Sequence, residues 1–393
     1  MMKELMDDFV SLFGKGKGDI RVFFAPGRVN LIGEHTDYNG GHVLPCALHI
    51  GTYALARKNG SSWIRLFSKN FFEHGVVTVS LDDLAYHRKH GWANYPKGMI
   101  ATMQLACSID TGFDVLYYGN IPNGAGLSSS ASIELATAVL INTLFAGNID
   151  MLELVKWSQQ VENQYIGVNC GIMDPFAIGM AKFNHALLLN CQTLAYRYLP
   201  LSFQDCSIVI ANTNKQRGLA DSAYNERRAA CEAALAKLQK EIDVHSLGEM
   251  TSEQLERYEH LLSPREQKRV RHAVTENERT MEAAEALERG DLARFGELMR
   301  QSHVSLRDDY EVTCIELDTL VETAWKHEGT IGARMTGAGF GGCTVNIVKD
   351  KYIASFIERV GCEYKQKIGY EASFYVAKIG GGAREIKEEK EMV

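Results

Sequence analysis

An α+β fold, with mixed sheets and helices packed on them, is what this sequence predicts. Three observations carry that reading. Runs rich in β-branched and aromatic residues dominate the first third of the chain. A loop crowded with glycine and serine, "GAGLSSSAS" at 124–132, then opens a helix. Long stretches with apolar residues at helical spacing fill the second half before strand-like runs return near the C-terminus. Sheet and helix therefore segregate into layers of one or two domains.

Residues 1–18 read as a short helix that ends at the glycines of "GKGKG". "IRVFFAPG" reads as a buried strand stopped by Pro26 and Gly27. "GHVLPCALHIGTYALARKNG", "SSWIRLFSKN" and "FDVLYYGNIP" follow as strands, and the last feeds the serine-rich loop. "SIELATAVLINTLF" and "MLELVKWSQQVENQYIG" are helical, with the short strands "HALLLNCQT" and "CSIVIANT" after them. "LADSAYNERRAACEAALAKLQKEI", "VRHAVTENERTMEAAEALERGD" and "LARFGELMRQSHVSLRDDYEVTCIELDTLVETAWKH" keep helical spacing throughout. "GARMTGAGFGGCTVNIVK" and "ASFYVAKIG" return to strand, and the charged tail "EIKEEKEMV" is expected to fray.

A chain of 393 residues has room for one large domain or two, each with a core. Its net charge of −7 argues against a general nucleic-acid binder but leaves an anionic substrate open, because local charge can oppose the total. Nine cysteines, an odd number with no CxxC spacing, point to reduced thiols and a cytoplasmic setting. The N-terminus is acidic and amphipathic without a signal-peptide core, and no apolar run reaches the length of a membrane span, so no membrane partner is expected.

Glycine in "GAGLSSSAS" lets the backbone approach a ligand, and successive N–H groups there form an anion nest. The following helix aims its positive dipole end at the same place, and the serine hydroxyls add donors to phosphate or an oxygen for Mg²⁺. A plain capped helix explains the same residues, since Ser128, Ser129 and Ser130 are all good caps. The lysine of a G-x-x-x-x-G-K-[ST] loop is absent, which raises the question of where positive charge comes from. A second glycine stretch, "GAGFGG" at 337–342, matches G-x-G-x-x-G but is followed by a strand, so a dinucleotide site is excluded. An inter-strand turn and a loop abutting the first loop's ligand both remain open.

Two polar clusters sit among apolar neighbours. "APGRVNLIGEHTDYNGG" (25–41) gathers Arg28, Asn30, Glu34, His35, Asp37, Tyr38 and Asn39 between runs that read as core. Glu34 and Asp37 suit the hydroxyls of a polyol, and Arg28 offers the missing charge; a solvated, self-capped loop is the alternative. In "GVNCGIMDPFAIG" (167–179), Asp174 lies in apolar company and so needs a partner, although capping the helix that begins at Pro175 is an equally simple role.

Taken together, these stretches resemble the galactokinase family, within the superfamily of galacto-, homoserine, mevalonate and phosphomevalonate kinases. "PGRVNLIGEHTDYNGG" resembles the family-specific first motif, "GNIPNGAGLSSSAS" the phosphate loop, and "MTGAGFGGCTVNIV" the third motif. "GVNCGIMDPFAI", "DSAYNERR" and "SHVSLRDDYEVTCIELDTLVE" are similar to family blocks as well, so the likeness spans nearly the whole chain. It implies a two-lobed kinase with its active site in the cleft between the lobes. Residues 1–200 would form the N-terminal lobe with the sugar motif and phosphate loop, and 201–393 the C-terminal lobe with the third motif.

The implied reaction passes the γ-phosphoryl group of ATP to the C1 hydroxyl of α-D-galactose, the first committed step of galactose catabolism. By the same resemblance Asp174 is the base and Arg28 its partner. Glu34, His35, Thr36, Asp37, Gly171 and Tyr224 contact the sugar, with Asp37 the most selective contact. Gly124, Ala125, Gly126, Leu127, Ser128, Ser129 and Ser130 bind ATP phosphates, Ser68 and Trp92 lie on the nucleotide side, and Ser130 with Glu162 holds Mg²⁺. The implied partners are ATP and D-galactose alone, with no nucleic acid or membrane, and the protein is expected to be monomeric. Cys170, beside the sugar loop, is expected to confer thiol sensitivity. An N-acetylgalactosamine kinase shares these motifs, and so does a non-enzymatic galactose sensor, although such sensors depart from the phosphate loop that is intact here.

Overall fold

The computed structural model describes residues 1–122, 125–201, 203, 205–215 and 220–387. In α1 (Met2–Phe13), Leu5, Phe9 and Phe13 recur every four residues and bury one face against β1 (Arg21–Asn30). Full burial of side chains of this kind stabilises by about 1.5–3 kcal/mol each. Next come β2 (His42–Val43), β3 (Pro45–Lys58), β4 (Trp63–Ser68), β5 (Val77–Ser80), α2 (Asn94–Met103) and β6 (Phe113–Gly119). The serine-rich loop leads into α3 (Ser129–Leu144), which is apolar on most faces and buried as a central helix. After it run α4 (Met151–Gln160), a π turn at 161–166, α5 (Met173–Met180), β7 (His185–Asn190), β8 (Tyr196–Pro200) and β9 (Cys206–Asn212).

Helices dominate the next stretch: α6 (Ala220–Leu238), α7 (Ser252–Tyr258), α8 (Pro264–Glu288), α9 (Leu292–Asp308) and α10 (Ile315–Trp325). The chain closes with β10 (Thr330–Thr336), β11 (Cys343–Lys349), α11 (Ile353–Ile368), β12 (Ser373–Ala377) and β13 (Arg384–Ile386). Among the described residues the strands form a six-stranded sheet ordered β13-β1-β3-β6-β4-β5, a four-stranded sheet β10-β11-β9-β12 and a three-stranded sheet β2-β7-β8. The mixture of layers is the α+β class the sequence predicts.

Several local expectations are corrected. Pro26 and Gly27 do not stop β1: the strand bulges, with a register shift against β3 between Pro26 and Arg28, and runs on to Asn30. A Cβ at Gly27 would lie 2.9 Å from the Leu127 carbonyl, so the bulge is also where the serine-rich loop packs on the strand. The helical run 292–327 splits into α9 and α10, because Glu311 takes a left-handed φ of 55° in the turn between them. The first tail residues are ordered: Ile386 is buried in β13 and Glu385 pairs with Arg21 at 2.6 Å, whereas 388–393 lie outside the described residues. Helices α2 and α11 and strand β8 were not anticipated, although Phe356, Val360 and Tyr364 of α11 bury at helical spacing.

Candidate active site

Two adjoining cavities meet at Ile121, Ser129 and Ser130, at the N-terminus of α3. One is a polar cleft of about 460 Å³ and the other a more apolar pocket of about 430 Å³. Gly126 and Ser128 both take left-handed backbone angles, φ 71° and 61°, where the loop turns into α3, and Ser129 and Ser130 of its first turn line both cavities. The Ser128 hydroxyl does not cap the helix; it donates to Oδ2 of Asp174. Ala125 and Leu127 are buried in the core, and Gly126, Leu127, Ser128, Ser129 and Ser130 line the cleft. Gly124 lies outside the described residues.

Arg28 emerges from the β1 bulge and grips Asp174 through both arms of its fork, Nε to Oδ1 at 2.7 Å and Nη2 to Oδ2 at 2.6 Å. Its third donor, Nη1, reaches the Gly126 carbonyl at 2.8 Å, so one guanidinium joins the carboxylate to the serine-rich loop. Asp174 sits inside the first turn of α5 rather than at its cap, which is Ile172. The Arg28 side chain is 7% exposed and that of Asp174 31%, so the carboxylate presents an edge to the cleft while its partner stays behind it.

The polar segment 33–42 forms the opposite wall. Oε1 of Glu34 accepts from Gly337 N at 2.8 Å and Thr336 Oγ1 at 3.0 Å, and Arg334 stands 3.5 Å away. The second glycine stretch, which belongs to the third motif, is thus an inter-strand turn that also lines the cleft, through Gly337 and Ala338. Thr36 is buried and donates to the carbonyls of Gly33 and His42, so it shapes the loop and does not line the cleft. Asp37 faces Gly171 so closely that any Cβ at 171 would overlap its carboxylate. Burial, and next the neighbouring Asp174 carboxylate, raise the Asp37 carboxyl from its ordinary 3.8 to about 7. His35 is buried, and that burial, with His272 nearby, lowers its ring to about 3, so the imidazole is neutral. Tyr224 of α6 completes the wall, its ring 5.7 Å from His35.

Sequence reading missed what holds this wall in place. Glu276 of α8 accepts from Gly33 N at 3.0 Å and Glu34 N at 3.2 Å. Burial opposes its ionisation, but Arg279, His272 and Arg334 hold its carboxyl near 2. One turn before it, His272 Nε2 meets the Glu34 carbonyl at 3.0 Å; one residue after it, Asn277 Oδ1 accepts from His42 N at 2.8 Å. In the sequence these residues belong to the run "VRHAVTENERTMEAAEALERGD", whose spacing marks a helix but assigns none of them to a site; only docking onto the loop reveals that role.

The second cavity is lined by Ser68, Phe71, Trp92, Tyr95 and Tyr117. The Phe71 and Trp92 rings are nearly parallel, at 10°, with centroids 6.5 Å apart, and buried Trp92 Nε1 has no hydrogen-bond partner among the described residues. Glu162, on the π turn, is 7% exposed in the first cleft. Its burial raises the carboxyl, and a hydrogen bond from the Ser130 hydroxyl works against that rise. The Cys170 thiol is pushed well up, by burial and then by the surrounding carboxylates Glu162 and Asp174, so it stays protonated; thiol sensitivity through a reactive thiolate is not what this environment favours.

A sheet-and-helix scaffold whose serine-rich loop and third glycine turn converge on one cleft defines a class. Residues 94–182 match the family description "GHMP kinases N terminal domain" and 283–366 match "GHMP kinases C terminal". A Methanococcus jannaschii mevalonate kinase shares the fold, with a TM-score of 0.67 at 18% identity over 92% of this chain and 99% of that one. Residues 7–58 match "Galactokinase galactose-binding signature". The galactokinase of Fusobacterium nucleatum is 56% identical, covering 98% of this chain and 100% of the relative, and that of Bacillus subtilis is 53% identical, covering 99% and 100%. The crystal structure of Lactococcus lactis galactokinase complexed with galactose superposes with a TM-score of 0.95 at 48% identity, covering 98% of this chain and 100% of that one. The chain belongs to the galactokinase family of GHMP kinases.

Proposed function

We propose that the protein transfers the γ-phosphoryl group of ATP to the C1 hydroxyl of α-D-galactose, with residues 1–200 and 201–393 as its two lobes. The observation that carries this reading is the anchored carboxylate of Asp174 in the polar cleft, tied through Ser128 to the loop where the two cavities meet. Arg28 and Ser128 occupy three of its acceptor positions, and a carboxylate has about four, which leaves a lone pair toward the cleft. Asp174 orients the C1 hydroxyl and accepts its proton as the O–P bond forms and ADP leaves. Arg28 offsets charge that grows on the transferred group. The N–H groups of the serine-rich loop bind the β- and γ-phosphates. Asp37, Glu34, Tyr224 and the His35–Asp37 backbone meet the sugar, and the aromatic pocket of Phe71, Trp92 and Tyr117 suits a flat base.

One hydroxyl and one buried carboxylate, Ser130 and Glu162, fit a Mg²⁺ ion that completes its shell with phosphate oxygens and water. When bound, the ion neutralises phosphate charge.

The test is ADP release with ATP and each of galactose, N-acetylgalactosamine, glucose and mevalonate, with and without Mg²⁺. Turnover on galactose that EDTA abolishes is the expected result. Galactose binding without turnover would make the protein a sensor, and turnover on another acceptor would reassign the sugar wall.

Galactose affinity is also expected to depend on pH. Sugar hydroxyls donate best to an ionised Asp37, yet the empty site holds that proton to about pH 7. An unfolded chain releases it near 3.8, so this group's contribution to folding stability declines as pH rises between those values. Asp174 and Glu34 press the carboxyl up, while Arg28 and the Tyr38 N–H press it down. Binding must therefore expel a proton below neutrality, and the dissociation constant should rise toward about tenfold per pH unit below 7. Calorimetry from pH 5.5 to 8 checks this; a flat profile would sink it, and Asp37→Asn should flatten it.

A further inference from the structure

One buried chain of hydroxyls has no part in the chemistry above. The Tyr38 hydroxyl lies 2.7 Å from Nδ1 of His35 and 2.8 Å from the hydroxyl of Tyr310, which lies 3.2 Å from Sγ of Cys231. Tyr310 belongs to the turn after α9 and is wholly buried, its ring 4.8 Å from His35 and 4.5 Å from His272. That turn is itself clamped. Arg227 of α6 donates to the carbonyls of Tyr310 and Glu311, each at 2.8 Å. Arg269 of α8 donates to the Asp309 carbonyl and, at 2.5 Å, to the Glu311 carboxylate. Phe340 N, from the third glycine turn, donates to the Val312 carbonyl at 2.7 Å.

What this clamp governs follows from how Asp37 is held. Its carboxylate meets the Tyr38 backbone N–H and the face of Gly171; among the described residues no other side chain hydrogen-bonds it. Its position is therefore inherited from the single turn Asp37–Asn39. His35 and Tyr38 flank Asp37, and both side chains end on the Tyr310 chain. Asn39 ties the turn back on itself by donating to the His35 carbonyl at 2.7 Å. His35 has φ 61°, a left-handed conformation that persists at a non-glycine residue only where its surroundings overdetermine it.

We propose that Tyr310 is a positioning residue for sugar selection, acting through Tyr38 to hold the turn in the setting where Asp37 faces the cleft. The inference rests on reading that cleft as a galactose site. Tyr310→Phe deletes one hydroxyl and keeps the packed ring, so it perturbs the core little. Measured by titration calorimetry, its galactose affinity is expected to fall about 3–10-fold, as for the loss of a buried hydrogen bond. Affinity for Mg·ATP, whose pocket is lined by other elements, should stay within about twofold. The double variant Tyr38→Phe/Tyr310→Phe should lose no more than the worse single one. In an Asp37→Asn background the Tyr310→Phe change should have less than about a twofold effect, because the group it positions is already neutralised.

Unchanged galactose affinity in Tyr310→Phe would overturn the proposal. So would an equal loss toward Mg·ATP, which marks a general structural role, or an undiminished loss in the Asp37→Asn background. A wild type that binds Mg·ATP but not galactose would instead show that the sugar reading has failed, and the proposal would fall with it.

Discussion

Asp174→Ala should lower turnover on galactose by about 10²–10⁴-fold, the usual span for a positioned general base. The substitution also strips Arg28 of its carboxylate partner and leaves the Ser128 hydroxyl unpaired. Part of the loss would then come from geometry, and Asp174→Asn separates the two effects. The amide keeps the shape and one acceptor oxygen but cannot take a proton or carry the charge that faces Arg28, so it should spare the packing that alanine loses, stay less stable than the wild type and remain nearly as inactive as the alanine variant. Single-turnover phosphorylation with both variants gives the comparison. Activity of Asp174→Asn within tenfold of wild type would remove Asp174 from the role of base and leave it as an anchor for Arg28.

Arg28→Ala should damage stability and activity together. Removing one member of a buried pair costs about 3–5 kcal/mol, and the partial exposure of Asp174 places this case at or below the low end of that range. The lost charge opposite the transferred group should lower turnover by about 10²–10³-fold. Arg28→Lys is expected to rescue stability more than rate. A single ammonium can neutralise Asp174 but cannot also span to the Gly126 carbonyl with the geometry of a planar fork. Denaturant unfolding paired with steady-state kinetics on both variants tests this. A lysine variant with full activity would show that point charge alone suffices and that the bridge to the loop is dispensable.

The residues proposed to carry the chemistry stand out in the sequence because their spacing is local. The serine-rich loop, the polar segment 25–41 and the Asp174 segment each announce themselves as polar groups crowded among turn residues between apolar runs. Arg28 is the cation that the sequence offers for the missing loop lysine, and it reaches that loop through the Gly126 carbonyl. The supporting layer was not legible. Glu276, His272 and Arg334 look like ordinary charged residues of a helix and a strand, and their burial arises only when α8 and β10 dock on the polar segment 33–42. The bulge at Pro26 and Gly27 was hidden for a similar reason: local propensity favours a stop there, and cross-strand pairing with β3 overrides it.

Strand β13 bears on how the chain is made as well as on how it stands. Phe23 and Phe24 of the first strand pair with Glu385 and Arg384, and the Arg21–Glu385 contact links residues 364 positions apart. A ribosome delivers those partners long after β1. Until it does, β1 offers an unpaired edge beside an aromatic core of Phe24 and Tyr53, the kind of surface on which nascent chains pair with one another or with a chaperone. Closing so long a loop is slow, and completion of this sheet is therefore a late step that waits on both halves of the polypeptide.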